Sequence, residues 1–179
     1  EKYSKFNRLI AKLGHSTAAK IAKINITDNF ILKDSIKLSF GADSVVIRYG
    51  GDHTRKLMPN DKMVTKYPFL NTDYYINVSR AQIDNNLHLV LKSFEFLPDK
   101  LLVMISNWNI SDYGKSLKEK YHNKYSNIIL LDAIYNREEI DTIRSCSFAY
   151  IHSHSYCGTS PSLVEAMSLG LPIISFDVA

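Results

Sequence analysis

The stretch FAYIHSHSYCGTSPSLVEAMSLGLPIISF, residues 148–176, contains a complete strand–loop–helix–strand unit. An apolar run opens it, a loop of small and polar residues follows, and an apolar helical pattern begins at Ser160. Gly170 and Pro172 mark the end of that helix, because glycine suits the position after a helix and proline cannot continue one. A second apolar run follows at 172–178. This order predicts two parallel strands joined by a crossover helix.

The same alternation extends back to residue 74. Apolar runs YYINV, LLVMIS and NIILL precede the stretch, and they are separated by the helix-like segments NNLHLVLKSFEFL, SDYGKSLKEKYHNKY and REEIDTIRSC. The runs are apolar throughout, as expected for strands that are buried on both faces. Strictly alternating strands and helices predict an α/β fold, with a Rossmann-like parallel sheet and helices on both faces.

The chain before residue 74 has a different pattern. FNRLIAKLGHSTAAKIAK is helical in its periodicity, although Gly14 is a possible break, and INIT, DNFILKDSIKLSF and SVVIRY predict a strand, a helix and a strand. Residues 52–73 are polar, show no period and contain Pro59 and Pro68. That composition predicts a linker or a long loop.

Composition narrows the class of protein. The chain has 179 residues, 45% of them hydrophobic, and a formal net charge of +4 without any run of Lys or Arg, so we expect no nucleic-acid partner. Its two cysteines do not form a disulfide framework, which indicates a reducing compartment. No apolar run reaches the ~18 residues of a membrane span. Because the first residue is not Met and the last residues follow a strand-like run, we expect a fragment of a longer protein.

Polar residues follow each predicted strand. Since ligands of open parallel sheets bind beyond the carboxyl ends of the strands, these residues predict a binding cleft. The groups are Ser79–Arg80 with Asn85–Asn86, then Asn107–Asn109, Asp132–Tyr135 and His152–Ser160.

The start of the last helix favours an anion. Ser160 suits the N-cap and Pro161 the first helical position, while Gly158 lets the loop approach a ligand closely. The first amides of such a helix bind phosphate or pyrophosphate, although an ordinary capped helix gives the same pattern. Arg80 could clamp a diphosphate with two parallel bonds, or form an ion pair with Asp84. No G-x-G-x-x-G fingerprint is present.

Other polar and aromatic residues have less specific interpretations. Glu165 either accepts ribose hydroxyls or faces solvent. His152, His154 and Cys157 have the spacing H-x-H-x-x-C, but a closed zinc site needs four ligands and the sequence has no second cluster, so we expect no metal. Histidine is better explained here as a donor to a ligand or as a structural residue.

Two aromatic residues and a cysteine complete the candidates. Trp108 and Tyr135 could stack on a base or a sugar, and packing is favoured for Trp108. Cys146, on the third helix of the regular region, is expected to be an inert core thiol.

Two of these segments carry a family resemblance. GTSPSLVEAMSLGLPII resembles the nucleotide-sugar motif of retaining GT-B glycosyltransferases of family four, and INVSRAQIDNNLHLVLKSF resembles that family's first strand and turn. The His-rich strand end and the Asn–Asn pair are similar to a branch of bacterial rhamnosyltransferases. The resemblance implies three parts: a remnant of the acceptor-side domain at 1–52, a linker at 53–73 and the GT-B C-terminal nucleotide-sugar-binding domain, truncated at its end, at 74–179.

The resemblance also implies donor-binding roles. Arg80 would contact the donor diphosphate, the amides around Thr159, Ser160 and Ser162 would cradle its phosphates, and Glu165 would bind the ribose. The remaining donor-side positions are Asn85, Asn86, Ile134, Tyr135, His154 and Gly158, of which Ile134 and Tyr135 fall on the base-recognition loop. Two positions depart from the family pattern: Cys157 replaces a glutamate that usually contacts the donor sugar, and Asn85 or Asn86 replaces a lysine.

The implied function is transfer of a hexose from a nucleoside-diphosphate sugar to a cell-surface polysaccharide or lipid-linked acceptor, in the cytoplasm at the inner face of the plasma membrane. The branch likeness suggests dTDP-rhamnose as the donor, and no cofactor or metal is implied. The acceptor site and any catalytic base belong to the preceding domain, so we assign no catalytic residue and expect the fragment to be inactive. Two alternatives stay open: a non-catalytic Rossmann-like nucleotide-binding module, and a metal-dependent hydrolase using His152 and His154.

Overall fold

A computed structural model describes residues 4–155 and 157–177, which form two compact units that divide after Tyr49. The first unit contains helices α1 (Lys5–Ile21) and α2 (Phe30–Phe40) and a parallel pair of short strands, β1 (Ile26–Thr27) and β2 (Val45–Val46). The helix α1 continues through Gly14, so the possible break does not occur.

The second unit contains the predicted alternation of strands and helices. Its elements are α3 (Asp61–Lys66), β3 (Tyr74–Val78), α4 (Leu87–Glu95), β4 (Leu101–Ser106), α5 (Asp112–Tyr121), β5 (Ile128–Asp132), α6 (Arg137–Ser145), β6 (Ala149–His152), α7 (Pro161–Ser168) and β7 (Ile173–Ser175). The α/β prediction is therefore confirmed. None of the helices described is long and apolar enough to cross a bilayer.

The five strands of this unit form a parallel sheet in the order β5-β4-β3-β6-β7. The chain enters at the central strand β3, proceeds to one edge through β4 and β5, and then crosses back to place β6 on the other side of β3. Connections leave β3 and β6 in opposite directions, which opens a crevice at their carboxyl ends. The sequence places its candidate residues at this edge.

Both faces of the sheet are covered. On one face, Leu102 and Met104 of β4 pack with Leu91 of α4 and Leu117 of α5. On the other, the alternate strand residues join a second core whose members include Tyr74, Ile76, Val103, Ile105, Ile143 of α6 and Ala166 of α7. The prediction of strands buried on both faces is confirmed for β3, β4 and β6, whereas Ile174 and Ser175 of the edge strand β7 are exposed.

Trp108 lies in the first of these cores. Its side chain is fully buried, and its indole Nε1 donates a hydrogen bond to the Leu131 carbonyl at 2.8 Å. A buried indole N–H needs such a partner. The packing interpretation of Trp108 is therefore confirmed.

The stretch 53–73, predicted as a linker or long loop, is ordered and belongs to the second unit, where it packs against one of the two cores. It contains α3 and a 3₁₀ helix at Pro68–Asn71, and Phe69 and Leu70 are buried in the core that faces α6. Tyr67 donates a hydrogen bond to Glu139, which also pairs with Lys66 at 2.6 Å. Phe69 and Leu70 are two apolar residues in a polar stretch and form no periodic pattern, so the sequence gives no sign that they enter the core.

Gly114 offers a test of the packing between α5 and the carboxyl edge of the sheet. A Cβ at this position would lie 2.3 Å from the Trp108 carbonyl oxygen and 2.8 Å from the Ala81 Cβ. Because backbone must move, Gly114→Ala should lower the free energy of unfolding by about 1–3 kcal/mol in urea denaturation. Gly14→Ala is the control: with nothing within 4 Å of its added Cβ, it should gain up to about 1 kcal/mol. Equal effects of the two substitutions would contradict this packing.

The contacts of the Glu139 carboxylate with Lys66 and Tyr67 should make the free energy of unfolding depend on pH. Its hydrogen bonds with Lys66 and then Tyr67 lower the pKa of Glu139 below the ordinary 4.5. The ionised carboxylate thus contributes stability that is complete above pH 4.5 and is lost as the pH falls through the folded pKa. Glu139→Gln should show a smaller loss of urea midpoint than the parent on acidification below 4.5. Glu119→Gln, at an exposed position, should show the same dependence of urea midpoint on pH as the parent. The same dependence in all three proteins would refute a stabilising role for the Glu139 carboxylate.

Candidate functional site

Hydrogen bonds join the turn after β3 to the end of β6. The Asn86 Nδ2 donates to the Ser153 carbonyl at 2.8 Å and to the Ser155 hydroxyl at 2.5 Å. The Ser153 hydroxyl in turn donates to the Asn85 carbonyl at 2.6 Å. Asn86 adopts the left-handed conformation, φ 52°, that asparagine tolerates better than most residues. The two sides of the crevice are thereby fixed relative to each other.

A cavity of about 360 Å³, the crevice pocket, lies between these two sides. The turn after β3 contributes one wall, and the other wall consists of His154, residues 157–160 and the first turn of α7. The predicted donor residues on its lining are Arg80, Asn85, His154, Gly158, Thr159, Ser160 and Ser162.

A second cavity of about 360 Å³, the side pocket, adjoins the crevice pocket. The two cavities share Val78, Ser79, Arg80 and Ser162. The side pocket continues over the ends of β4 and β5, where its mostly apolar lining is Ile105, Ala133, Ile134 and the exposed Tyr135, with Ser106 and Asn107. Arg80 is exposed and borders both cavities.

Two predicted residues, Asn86 and Glu165, line neither pocket. The amide of Asn86 is engaged with the end of β6, as described above. The carboxylate of Glu165 accepts from the Arg144 Nη2 at 2.6 Å and contacts the His53 Nε2 at 2.9 Å.

The cluster around Glu165 is largely buried. The side chain of Arg144 is 5% exposed and that of Asp141, one turn earlier on α6, is fully buried. The Asp141 carboxylate accepts from the Arg55 backbone amide at 3.2 Å. Sequence reasoning missed Arg144 and His53; the Asp–Arg pair at i, i+3 was the available sign of Arg144.

The start of α7 differs from the prediction in one detail. Ser160 occupies the N-cap, but its hydroxyl makes no capping bond. The amides of Leu163 and Val164 both donate to the Ser160 carbonyl at 3.1 Å. The Leu163 amide, from which a capping hydroxyl would accept, is therefore already engaged. Pro161 has no N–H. In the first turn, the Ser162 amide is thus left without a hydrogen bond to a backbone carbonyl of the described residues.

Tyr150 connects this first turn to β3. Its hydroxyl donates to the Val78 carbonyl at 3.1 Å and interacts with the Ser162 hydroxyl. Burial raises the pKa of Tyr150 to about 12, so the phenol stays protonated and keeps donating. Ser162 is therefore held at the point where both pockets meet.

His152, His154 and Cys157 lie together beside the crevice pocket. The two imidazole Nδ1 atoms are 3.1 Å apart, and the Cys157 Sγ is 3.6 Å from the His152 Nε2. Burial, and then the neighbouring His154, lowers the pKa of His152 to about 4; burial also lowers the pKa of His154. Both rings are consequently neutral at neutral pH.

The other cysteine has a separate environment. Cys146 is the C-cap residue of α6, one position beyond the helix, and burial raises the pKa of its thiol. A protonated, half-buried thiol is a poor nucleophile. This environment agrees with the prediction of an inert thiol.

No family model matches the sequence, and no curated protein matches it. Solved structures do resemble it. Anabaena HepE is 14% identical, with a TM-score of 0.72 over 97% of this chain and 48% of its own. The sucrose-phosphate synthase of Thermosynechococcus elongatus is 12% identical, with a TM-score of 0.75 over 96% of this chain and 45% of its own. The C-terminal domain of the group 1 glycosyl transferase LpcC from Francisella tularensis is 16% identical, with a TM-score of 0.52 over 71% of this chain and 69% of its own.

These likenesses define the fold. The second unit has the Rossmann-like architecture of GT-B C-terminal domains, a five-stranded parallel sheet with helices on both faces. The chain spans about half the length of HepE and of the sucrose-phosphate synthase, at 48% and 45%.

The unusual cap of α7 can be tested against an ordinary one. The Asn136 side chain caps α6 by accepting from the Glu139 amide at 3.0 Å, whereas the Ser160 hydroxyl caps nothing. Asn136→Ala should therefore lower the free energy of unfolding by about 1 kcal/mol. Ser160→Ala should change it by less than about 0.5 kcal/mol in the same urea titration. A loss of similar size at Ser160 would show that its hydroxyl caps the helix after all.

Proposed function

We propose that the chain is the donor-binding part of a glycosyltransferase that uses a nucleoside-diphosphate sugar. The observation that carries this proposal is that Arg80 and the start of α7 line one crevice pocket at the switch point of the sheet. Sequence separates these groups by some eighty residues, and only the fold brings them to one cavity.

The crevice pocket suits a diphosphate because of Arg80 and the hydrogen-bond donors at the start of α7; its lining also includes Asp84. The Arg80 guanidinium can hold two phosphate oxygens at once. Opposite it, the Ser162 amide and the positive end of the α7 dipole favour negative charge. In sugar transfer the diphosphate departs with the bonding electrons, and preorganised donors of this kind lower the barrier by stabilising that charge.

The side pocket suits a nucleobase. Its walls, which include Ile105, Ala133 and Ile134, present an apolar surface, and Tyr135 at the rim is 89% exposed and able to stack. Because the two pockets share Arg80 and Ser162, a base in the side pocket would leave its diphosphate in the crevice pocket. We assign Ile134 and Tyr135 to the base on this arrangement.

The sequence resemblance assigns Glu165 to the ribose, although Glu165 lines neither pocket. Each of its oxygens has one protein partner, Arg144 on Oε2 and His53 on Oε1. A carboxylate offers about four acceptor sites, so both oxygens can still accept from ribose hydroxyls. Arg144, held at the side of α6, would fix the orientation of that carboxylate.

The finer assignments rest on sequence resemblance. We propose retaining transfer of a hexose, with rhamnose as the sugar of the most similar branch, to a polysaccharide or lipid-linked acceptor at the inner face of the membrane. HepE, one of the similar folds, was crystallised with UDP and glucose and with UDP-glucose, which supports a nucleotide sugar as the ligand class. From the chain as it stands we expect donor binding without transfer.

Titration calorimetry with UDP, dTDP and UMP tests the site. A nucleoside diphosphate should bind saturably and more tightly than UMP. Arg80→Ala should weaken binding by about 1.5–3 kcal/mol, roughly 10- to 150-fold in Kd, because a charge-assisted pair is lost. The exposed Arg8→Ala of α1 removes an equal charge in the other unit and should leave the Kd unchanged. Equal losses in both variants, or none in Arg80→Ala, would remove the site.

A panel of nucleotide sugars separates the transferase from a plain nucleotide-binding module. A donor site should bind at least one nucleotide sugar in competition with its nucleoside diphosphate. A chain that binds the diphosphate and rejects every nucleotide sugar would be a nucleotide module instead.

A further inference from the structure

We propose that His152, His154 and Cys157 form a binding site for a zinc-class ion. The potential ligand atoms of these three residues all lie within 4.8 Å of one another. The sequence alone argued against a metal because a fourth protein ligand was missing. The fold changes that argument, because three converging ligands with one open position are the usual set of a catalytic or substrate-accessible zinc site.

The separations are near those that zinc requires. With Zn–N at roughly 2.0–2.1 Å and Zn–S at roughly 2.3 Å, neighbouring ligand atoms of a tetrahedron lie roughly 3.3–3.6 Å apart. The two Nδ1 atoms are 3.1 Å apart, and the Cys157 Sγ is 3.6 Å from the His152 Nε2. These two distances involve different nitrogens of His152, and one ion can bind only one of them. Since the ligand atoms lie within 4.8 Å of one another, the widest separation has to shorten by roughly 1 Å around one ion.

The backbone already favours this convergence. His152 ends β6, and His154 lies two residues further along, the spacing that puts strand side chains on one face. Ser153 between them is fully buried, and its hydrogen bonds with Asn85 and Asn86 hold the strand end in place. Cys157 returns to the pair through the following loop.

The chemistry of the three ligand atoms determines which ion the site prefers. Two imidazoles and a thiolate suit Zn²⁺ and disfavour Mg²⁺, which prefers oxygen ligands. Binding releases one proton: the thiol of Cys157 loses H⁺ as its sulfur forms the bond to the metal. His154 and Cys157 both line the crevice pocket, so the open coordination position belongs to the same cavity.

Co²⁺ added to the full chain is the direct probe, because tetrahedral cobalt with a thiolate ligand gives a sulfur-to-metal charge-transfer band and visible d–d bands. Both should saturate at one equivalent and disappear when Zn²⁺ displaces the cobalt. Cys157→Ser should abolish the charge-transfer band. His154→Ala should weaken Co²⁺ binding at least about tenfold, because loss of a residue that only supports a ligand already costs about that much. The matched controls Cys146→Ser and His122→Ala should leave the spectrum unchanged.

The result decides the proposal in either direction. No saturable band at one equivalent of Co²⁺, or a band that survives Cys157→Ser and is lost in Cys146→Ser, overturns it. Thermal melts of the metal-free variants check folding, and Cys157 is exposed, so its substitution should leave the fold intact. The test uses the metal alone, so its outcome is independent of nucleotide binding.

Discussion

The hydrogen bonds between the turn after β3 and the end of β6 are the constraint on which the site depends. Parallel strands whose connections diverge would leave an open gap at their carboxyl ends. Here Asn86 donates to the backbone and side chain beyond β6, and Ser153 donates back to the Asn85 carbonyl. These bonds join the two sides of the crevice, with Arg80 on one side and the start of α7 on the other, where the two pockets lie.

Much of the second unit could be predicted from its sequence, because buried parallel strands are continuous apolar runs and their helices carry ordinary start and stop residues. The stretch 53–73 could not, since its contribution rests on Phe69 and Leu70, two apolar residues without a period. Secondary-structure propensity depends only on the residues of the segment itself, so it carries no information about the core against which the segment packs. The core that receives this pair includes residues more than sixty positions later, such as Ile143.

Part of the candidate site could likewise be predicted from the sequence, and part of it could not. The position of Arg80 after a strand and the Ser-Pro start of α7 are local features, and topology alone brings them to one crevice. The partners of Glu165 are not local: His53 precedes it by 112 residues, and Arg144 lies on another helix. The capping state of Ser160 also escaped sequence reasoning, because two amides turn to its own carbonyl and the residue type does not reveal that choice. The convergence of His152, His154 and Cys157 likewise depends on the path of a loop.

The packing of residues 50–73 determines where a hybrid protein that reuses the second unit should begin. A hybrid that joins a foreign partner at residue 74, where the regular alternation begins, would discard Phe69 and Leu70 from the core and His53 from the Glu165 carboxylate. It would also strip the Arg55 amide from the buried Asp141. A hybrid that reuses the second unit should therefore begin near Gly50, so that residues 50–73 stay with the sheet.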